Sequence, residues 1–277
     1  MELLFFIAIS LQDPATRLSG RIVDAQTGAD LRGLVNLLRL SDKIPDDDIS
    51  VLSKRNGWYE AGIVTPGNYR AVAVVDGYRP SIQLITVDKS IPVMHFNFRM
   101  RVGNHLTLTV EDQKGDPVEE AWATITYKGK DPAAELEWTY LQIYTGSDTA
   151  RSKGGKLFWD GLPPGEWEIR INRPGYIPVT ITTDKEKESV TLKKGRLVYL
   201  TIENRDGSRA PDIFVSIHSG GKAIFSGITG AFGDVAVTML KGRNDLFLYR
   251  LPHGRERMHQ KIQLGEEGKL TIQWGLP

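Results

Sequence analysis

Glycines recur at a fixed interval in two stretches of the 277-residue chain, and this repeat restricts the possible folds more than any other feature. Each copy has three glycines ten positions apart: Gly57, Gly67 and Gly77 in the first, and Gly155, Gly165 and Gly175 in the second. In both copies a proline precedes the middle glycine, an aromatic residue follows it by two positions, and a tyrosine follows the last glycine. Self-similarity of this kind predicts two copies of one supersecondary unit.

The segments around these glycines have the composition of β-strands. Short runs rich in β-branched and aromatic residues, several of them alternating in polarity, occupy residues 21–23, 69–75, 106–110, 167–171 and 197–202. Turn sequences such as Asn56-Gly57 and Asp206-Gly207 separate the runs and supply the positive φ angles of tight hairpins. Many short strands with regular turns indicate an all-β chain built of sandwiches.

The middle glycine of each copy predicts a particular turn. Pro66-Gly67 and Pro164-Gly165 fit the two central positions of a type II turn, where proline presets φ and glycine takes the positive φ. Tyr69 and Trp167 follow two residues later, and we expect both rings to point into a sandwich core, with alternate residues after them on the same face.

The same residues resemble the carboxypeptidase regulatory-like domain family, whose members are transthyretin-like sandwiches appended to many secreted bacterial proteins. The resemblance is carried by the strand at residues 20–24, the Thr27-Gly28 turn, the strand after Gly57, and the Pro-Gly and Gly-Tyr pairs of each copy. It implies a fold and is nearly silent on function, because these residues serve turns and core.

Periodicity and resemblance together predict an all-β fold of about three tandem transthyretin-like or immunoglobulin-like β-sandwiches. The predicted organisation is a possible signal segment at 1–13 and sandwiches at 14–100, 101–195 and 196–277, with an expanded loop at 131–148 in the second. The third sandwich is divergent, because Lys241-Gly242 replaces the Pro-Gly pair and the closing Gly-Tyr is missing.

The composition excludes several classes of function. A net charge of +1 gives no long-range field that would gather a polyanion, so we expect no nucleic-acid partner. The sequence contains no cysteine, which excludes disulfides, thiolate metal sites and a cysteine nucleophile. The five histidines show no metal-binding spacing, since two arginines lie between His253 and His259. We therefore expect no catalytic residue, no metal site and no cofactor.

Two short segments leave alternatives open. Residues 3–11 are apolar and too short to span a bilayer, and they predict a signal peptide although Met1-Glu2 carries no basic residue; a first strand or an apolar tail is the alternative. Export predicts an extracytoplasmic location, whether periplasmic, cell-surface or secreted. Asp46, Asp47 and Asp48 are consistent with a solvated loop or, as an alternative, with a calcium site.

The loop at 131–148 contains the candidate binding residues. Trp138, Tyr140 and Tyr144 fall, with Leu136 and Gln142, on alternate positions, so a strand would present all three rings on one face. Aromatic faces in a row can stack on the C–H groups of sugars, and an exposed row would form an apolar interaction patch. The alternative is that this aromatic face covers a hydrophobic core.

The sequence thus predicts a non-catalytic, exported protein that acts as an envelope or secreted adhesion, spacer or accessory module. Carbohydrate binding through Trp138, Tyr140 and Tyr144 is one alternative, and regulation of a separate peptidase or other enzyme is another. The expected partners are proteins or glycans of the cell envelope, and no segment after the first residues is apolar enough for an integral membrane span.

Overall fold

A computed structural model describes residues 16–40, 48–239, 242–250, 257–264 and 268–274. Within these ranges the regular secondary structure consists of β-strands and one 14-residue helix. The prediction of an all-β chain of tandem sandwiches is confirmed. The predicted signal segment at 1–13, Asp46 and Asp47 lie outside the described residues.

The described strands fall into three consecutive sets, which we call repeats one, two and three. Repeat one consists of β1 (Thr16–Asp24), β2 (Leu34–Arg39), β3 (Ile49–Leu52), β4 (Trp58–Val64), β5 (Gly67–Val74), β6 (Tyr78–Arg79), β7 (Ser81–Val87), β8 (Val93–His95) and β9 (Phe98–Val102). Repeat two consists of β10 (Asn104–Asp112), β11 (Trp122–Tyr127), α1 (Pro132–Thr145), β12 (Thr149–Arg151), β13 (Lys156–Leu162), β14 (Trp167–Asn172), β15 (Val179–Thr183) and β16 (Lys187–Leu192). Repeat three consists of β17 (Arg196–Asn204), β18 (Ile213–Ser219), β19 (Lys222–Ile228), β20 (Asp234–Met239), β21 (Gly242–Arg250), β22 (Arg257–Leu264) and β23 (Lys269–Trp274).

Each repeat contributes two sheets with the same strand order. One sheet places the first strand between the strand after the turn glycine and the last strand: β4-β1-β9-β6, with β8 also on β1, then β13-β10-β16, then β20-β17-β23. The other sheet has four antiparallel strands: β3-β2-β5-β7, β12-β11-β14-β15 and β19-β18-β21-β22. Repeat three therefore has the topology of the other two, although its sequence matches their pattern only loosely.

Alternating side chains from both sheets form the core of each sandwich. In repeat one, β1 contributes Leu18 and Ile22 to a buried cluster that also contains Tyr69 of β5 and Phe98 of β9. An equivalent cluster in repeat three is built from every second residue of β17, β18, β20 and β21. The predicted burial of Tyr69 and Trp167 is confirmed, with 1% and 4% of their surfaces exposed.

The first turn glycine of the pattern holds two strands together in all three repeats. The carbonyl oxygens of Gly57, Gly155 and Gly233 accept hydrogen bonds from the backbone N–H groups of Ile22, Val110 and Ile202, at 2.9, 2.7 and 2.7 Å. All three glycines have positive φ angles, of 72°, 67° and 66°. The turn backbone lies so close to the first strand that a Cβ at Gly57 would be 2.5 Å from the Ile22 carbonyl oxygen.

A buried hydroxyl also recurs and was not predicted from the sequence. Ser53, Ser152 and Thr229 are each 2% exposed. Each accepts from a backbone N–H and donates to a backbone carbonyl; for Ser152 the partners are Ala121 N and Val118 O, both at 2.8 Å. Corresponding bonds surround Ser53 and Thr229. The hydroxyl thus supplies a partner to one backbone N–H and one backbone carbonyl where the chain leaves one sheet for the other.

The first strand of every repeat runs parallel to the last strand of the same repeat. β1 pairs with β9 from Ile22↔Phe98 to Asp24↔Met100. The pairing is longer in repeat two, from Thr107↔Lys187 to Asp112↔Leu192, and in repeat three, from Tyr199↔Lys269 to Asn204↔Trp274. Each repeat is therefore closed by contact between its two ends.

The type II turn predicted at the middle glycines is wrong. Gly67 and Gly165 have φ angles of 156° and 149°, far from the value near +80° that the third residue of such a turn adopts. Gly67 is instead the first residue of β5, and a Cβ there would lie 3.4 Å from the Arg39 guanidinium. Gly67 therefore has an extended backbone at the start of its strand, where the chain passes close to Arg39.

The described residues group into two compact units. The first comprises those within 1–106, 129–147 and 159–165, and the second those within 107–128, 148–158 and 166–277. The helix α1, which lies between β11 and β12 in sequence, thus belongs with the strands of repeat one. This grouping does not decide the sandwich boundaries given above at 14–100, 101–195 and 196–277, which stay a prediction.

We predict that Gly57→Ala destabilises repeat one more than Gly28→Ala does. Both glycines have a φ of 72°, so both substitutions bring the same backbone strain, about 1–3 kcal/mol. Only at Gly57 would the new methyl group also collide with the Ile22 carbonyl, since no heavy atom lies within 4 Å at Gly28. Hydrogen exchange of the Ile22 amide in the full chain measures the difference, and equal loss of protection in the two variants would contradict it.

Candidate functional site

The candidate binding residues Trp138, Tyr140 and Tyr144 lie on a helix, so the strand predicted for them is wrong. α1 begins after Asp131, whose side chain accepts from Ala133 N at 2.9 Å, and Pro132 occupies its first turn. The helix ends at Gly146, which has a φ of 64° and donates to the Gln142 carbonyl. Asp131, Pro132 and Gly146 are therefore the sequence signals that indicate this helix.

Helical geometry removes the single aromatic face. Residues two positions apart on a helix point about 200° apart, so Trp138 and Tyr140 cannot share a face. Trp138 is 5% exposed and Tyr140 7% exposed, while Tyr144 is half-buried. Tyr140 and Tyr144, one turn apart, stack with ring centroids 6.0 Å apart and planes at 8°. Burial, with added effects of Tyr140 and Asp48, raises the pKa of Tyr144. Ligand binding by these three residues stays a prediction.

The helix packs against β5 through polar anchors. Arg70 of β5 donates from Nη1 to the Tyr140 hydroxyl at 2.9 Å. Arg79 of β6 forms a bidentate pair with Glu137, with Nε to Oε2 at 2.8 Å and Nη2 to Oε1 at 2.9 Å. Both side chains of this pair are mostly buried, at 23% and 17% exposed. Paired, partly buried charges of this geometry fix the orientation of both groups.

The sheet face beneath the helix is unusually apolar for an outer face. Val72 and Val74 alternate along β5 with the core residues Tyr69, Ala71 and Ala73, so they point away from the core. They are nevertheless 0% and 5% exposed. Coverage of this face by α1 accounts for their burial, and it explains why the aromatic residues of the helix are buried as well.

A polar cleft of about 260 Å³ opens beside the Arg79–Glu137 pair. Residues of β6, β7, β9 and α1 line it, including Arg79, Ser81, Gln83, Arg99, Arg101 and Glu137. Three guanidinium groups thus face one carboxylate. Arg99 and Arg101 are exposed and alternate on β9 with the buried Phe98 and Met100, so both point to the same side of their sheet.

A second cleft, of about 630 Å³, lies in the second unit and has a mixed lining. Ile177, Pro178 and Phe225 provide apolar walls, while Arg170 and Lys193 provide charge. Glu168, the acidic residue of the lining, is paired with Lys128 at 3.4 Å. The lining contains no arrangement of charge as one-sided as that of the first cleft.

The carboxylates with lowered pKa values have structural partners. Asp24 Oδ1 accepts from the N–H groups of Thr27 and Gln26 at 2.7 and 2.8 Å, and Oδ2 accepts from the Tyr78 hydroxyl at 2.8 Å. These bonds lower the pKa of Asp24 to about 2. At the equivalent position of repeat two, the Lys194 ammonium, 2.9 Å away, and the Lys114 N–H lower the pKa of Asp112. Both carboxylates hold the turn after a first strand and stay ionised.

In the described part of the chain, no group of three or more histidine, aspartate or glutamate side chains is arranged to hold a metal ion. His259 lies 3.1 Å from Asp245 and stacks on Phe247, while His253 lies outside the described residues. Within the same ranges, no helix has the length and apolarity needed to cross a membrane.

Comparison with known proteins does not place the chain in a family. No family model and no curated protein matches it, so membership of the carboxypeptidase regulatory-like family stays a prediction. Solved structures similar to it include the Bacillus anthracis TIE protein, at 17% identity and a TM-score of 0.27, with 94% of this chain and 50% of that chain covered. The chain thus spans half the length of that structure.

Two pilins are among the other similar structures. The Streptococcal ancillary pilin has 12% identity and a TM-score of 0.30, with 94% of this chain and 98% of that chain covered. The shaft pilin spaA from Lactobacillus rhamnosus GG has 10% identity and a TM-score of 0.33, with 66% and 98% covered. Likeness at this level does not support a conclusion about function.

We predict that Trp138→Ala destabilises the first unit by about 3–5 kcal/mol, because it removes a buried indole from the helix α1. Ile143→Ala on the same helix is the matched control, since Ile143 is 63% exposed and should change stability by less than about 0.5 kcal/mol. Urea unfolding, monitored by hydrogen exchange of the β5 amides, measures the stability of both variants. Unchanged stability of Trp138→Ala, together with loss of binding to a sugar that the wild type binds, would contradict this prediction and support an exposed aromatic binding site.

Proposed function

We propose that this chain is a non-catalytic, extracytoplasmic structural module, and that its repeats serve as a spacer that withstands tension. The observation that carries the proposal is the parallel pairing of first and last strands in all three repeats. Extracytoplasmic location is supported by the apolar segment at residues 3–11 and by the sequence resemblance described above.

The direction of the pairing determines how a pull on the chain acts on each repeat. In a parallel pair, the chain comes in at one end of the first strand and leaves at the opposite end of the last strand. Tension between these points slides the two strands along each other, so every hydrogen bond of the ladder is loaded together. In an antiparallel pair both points would lie at the same end, and the bonds would break one after another.

The end bonds of each ladder reach backbone groups just outside the paired strands. In repeat two, Thr107 N donates to Glu186 O at 2.8 Å and so closes the first register pair, Thr107↔Lys187. In repeat three, Tyr199 N donates to Gly268 O at 2.9 Å at the same position. In repeat one, Arg17 N donates to Pro92 O and Ala25 N to Met100 O, at 2.9 and 2.8 Å, on either side of the pairs with β8 and β9.

The flanking strand adds resistance on the other side. In repeats one and three the first strand also pairs antiparallel with the strand that follows the turn glycine, for example from Arg196↔Met239 to Thr201↔Asp234 in repeat three. Extraction of the first strand must therefore break two ladders. The buried apolar side chains of that strand, such as Val198, Leu200 and Ile202, must leave the core in the same step.

Single-molecule pulling on the full chain tests the proposal. Because the sequence has no cysteine, handles can be attached at introduced cysteines alone. Handles at Thr107→Cys and Thr191→Cys load the β10–β16 pair from opposite ends, whereas handles at Thr107→Cys and Lys187→Cys load it from the same end. We expect the first arrangement to need roughly twofold or more the force of the second, because its ladder bonds share the load.

Pulling from the two chain ends should give unfolding forces in the range of the opposite-end handles. Forces from the chain ends that match the same-end handles would contradict a role under tension. Equal forces for the two handle positions would show that the ladder does not resist sliding, and this would contradict the proposal as well.

A further inference from the structure

The cleft beside α1 carries more positive charge than the protein itself compensates. Glu137 forms a bidentate pair with Arg79 through Nε and Nη2, which balances one of the positive charges. Within the described residues, the guanidinium groups of Arg99 and Arg101 have no hydrogen-bond or ion-pair partner, although both line the same cleft. The protein thus gathers three cations around one carboxylate.

The arrangement has an energetic cost in the absence of an anion. Arg79 and Arg101 are register partners on the neighbouring strands β6 and β9. Like charges directly opposite each other across a strand pair are destabilising. Arg99 adds a third cation to the same cleft wall, two positions before Arg101. A bound anion would remove this repulsion, because it would lie among all three groups.

The arginine side chains of the cleft are held in place without a bound anion. The bond to Glu137 holds the Arg79 side chain in one orientation at 23% exposure, so little side-chain entropy remains to be lost there on binding. Arg99 and Arg101 extend from a strand whose alternate residues Phe98 and Met100 are fixed in the core. Ser81 and Gln83 add neutral polar groups to the wall.

We propose that this cleft, which we call the arginine cleft, binds an oxyanion, either a phosphate or a carboxylate group. The planar guanidinium fork matches both groups through paired hydrogen bonds. A volume of about 260 Å³ accommodates one such group with a small part of the molecule that carries it, such as one sugar unit. The inference goes beyond the role under tension and does not rest on it.

Titration of the full chain with inorganic phosphate and, separately, with glucuronate tests the proposal, with chloride adjusted to keep the ionic strength constant. Backbone amide shifts of Arg79, of residues 81–83 and of residues 99–101 report binding by NMR. We expect saturable binding of at least one probe with a dissociation constant on the order of 1 mM or lower, as for a small group held by a few charged hydrogen bonds. The tighter probe identifies the group as phosphate or carboxylate.

Variants separate this site from general attraction to positive charge. Arg99→Gln with Arg101→Gln should weaken binding about tenfold or more, because each arginine contributes a charge-assisted bond. Arg55→Gln, which removes an exposed arginine outside the cleft, is the matched control and should leave the affinity unchanged. Both variants keep Arg79 and Glu137, so the anchor of the helix stays intact.

Two results would overturn the proposal. One is the absence of saturable shifts at 79–83 and 99–101 with both probes in the wild type. The other is equal weakening by Arg55→Gln and by the double variant, which would show that the anions respond to overall charge. Neither result bears on unfolding forces, so failure of this proposal is distinguishable from failure of the spacer role.

Discussion

Pairing of the first strand with the last is the interaction on which the rest of each repeat depends. It joins segments some 80 residues apart in sequence, as Ile22 and Phe98 or Val110 and Val190 illustrate. All the remaining strands of the repeat lie between these two segments in sequence. Such a distant contact must overcome a large loop-closure entropy. The apolar residues of the first strand, which are buried between two sheets, supply the stabilisation that makes closure favourable.

The recurring glycine and hydroxyl follow from this closure. The first strand is paired on both sides, and its carbonyl groups lie against the neighbouring turn. They leave no room for a side chain at Gly57, Gly155 or Gly233. The hydroxyls of Ser53, Ser152 and Thr229 then satisfy backbone groups beside that turn. Polar residues at these positions are used by the fold itself, as are the carboxylates of Asp24 and Asp112.

Local features of the fold could be predicted from the sequence, because they depend on local chemistry. Tyr69 and Trp167 are buried as expected, since alternation along a strand fixes which side chains face the core. The direction of the β10–β16 pair could not be predicted, because nothing in either strand specifies its distant neighbour. The turn type at Pro66-Gly67 was wrong because the strand after it, including its approach to Arg39, determines the φ of Gly67.

The helix α1 shows how a misassigned period changes a functional hypothesis. Trp138, Tyr140 and Tyr144 alternate as in a strand, yet Asp131-Pro132 and Gly146 carry the caps of a helix. Burial of Trp138 further required a partner surface, the outer face of β5, that belongs to another part of the sequence. The arginine cleft was missed for the same reason: Arg79 and Glu137 are 58 positions apart, and only the fold brings them together.

Engineered disulfides in repeat three provide the most direct test of closure by parallel pairing, since that repeat departs most from the sequence pattern. Cysteines at Tyr199 and Lys269, which are register partners, should lie within the 4.4–6.8 Å Cα distance that a disulfide spans. Cysteines at Tyr199 and Gln273 would be partners if the strands were antiparallel about Thr201 and Thr271; in the parallel pair they lie about 14 Å apart.

Parallel closure predicts that mild oxidation links the first pair of cysteines in the folded chain, as detected by mass spectrometry of proteolytic fragments, and leaves the second pair unlinked. Linkage of Tyr199→Cys to Gln273→Cys, with none between Tyr199→Cys and Lys269→Cys, would contradict the parallel closure and, with it, the proposed role under tension.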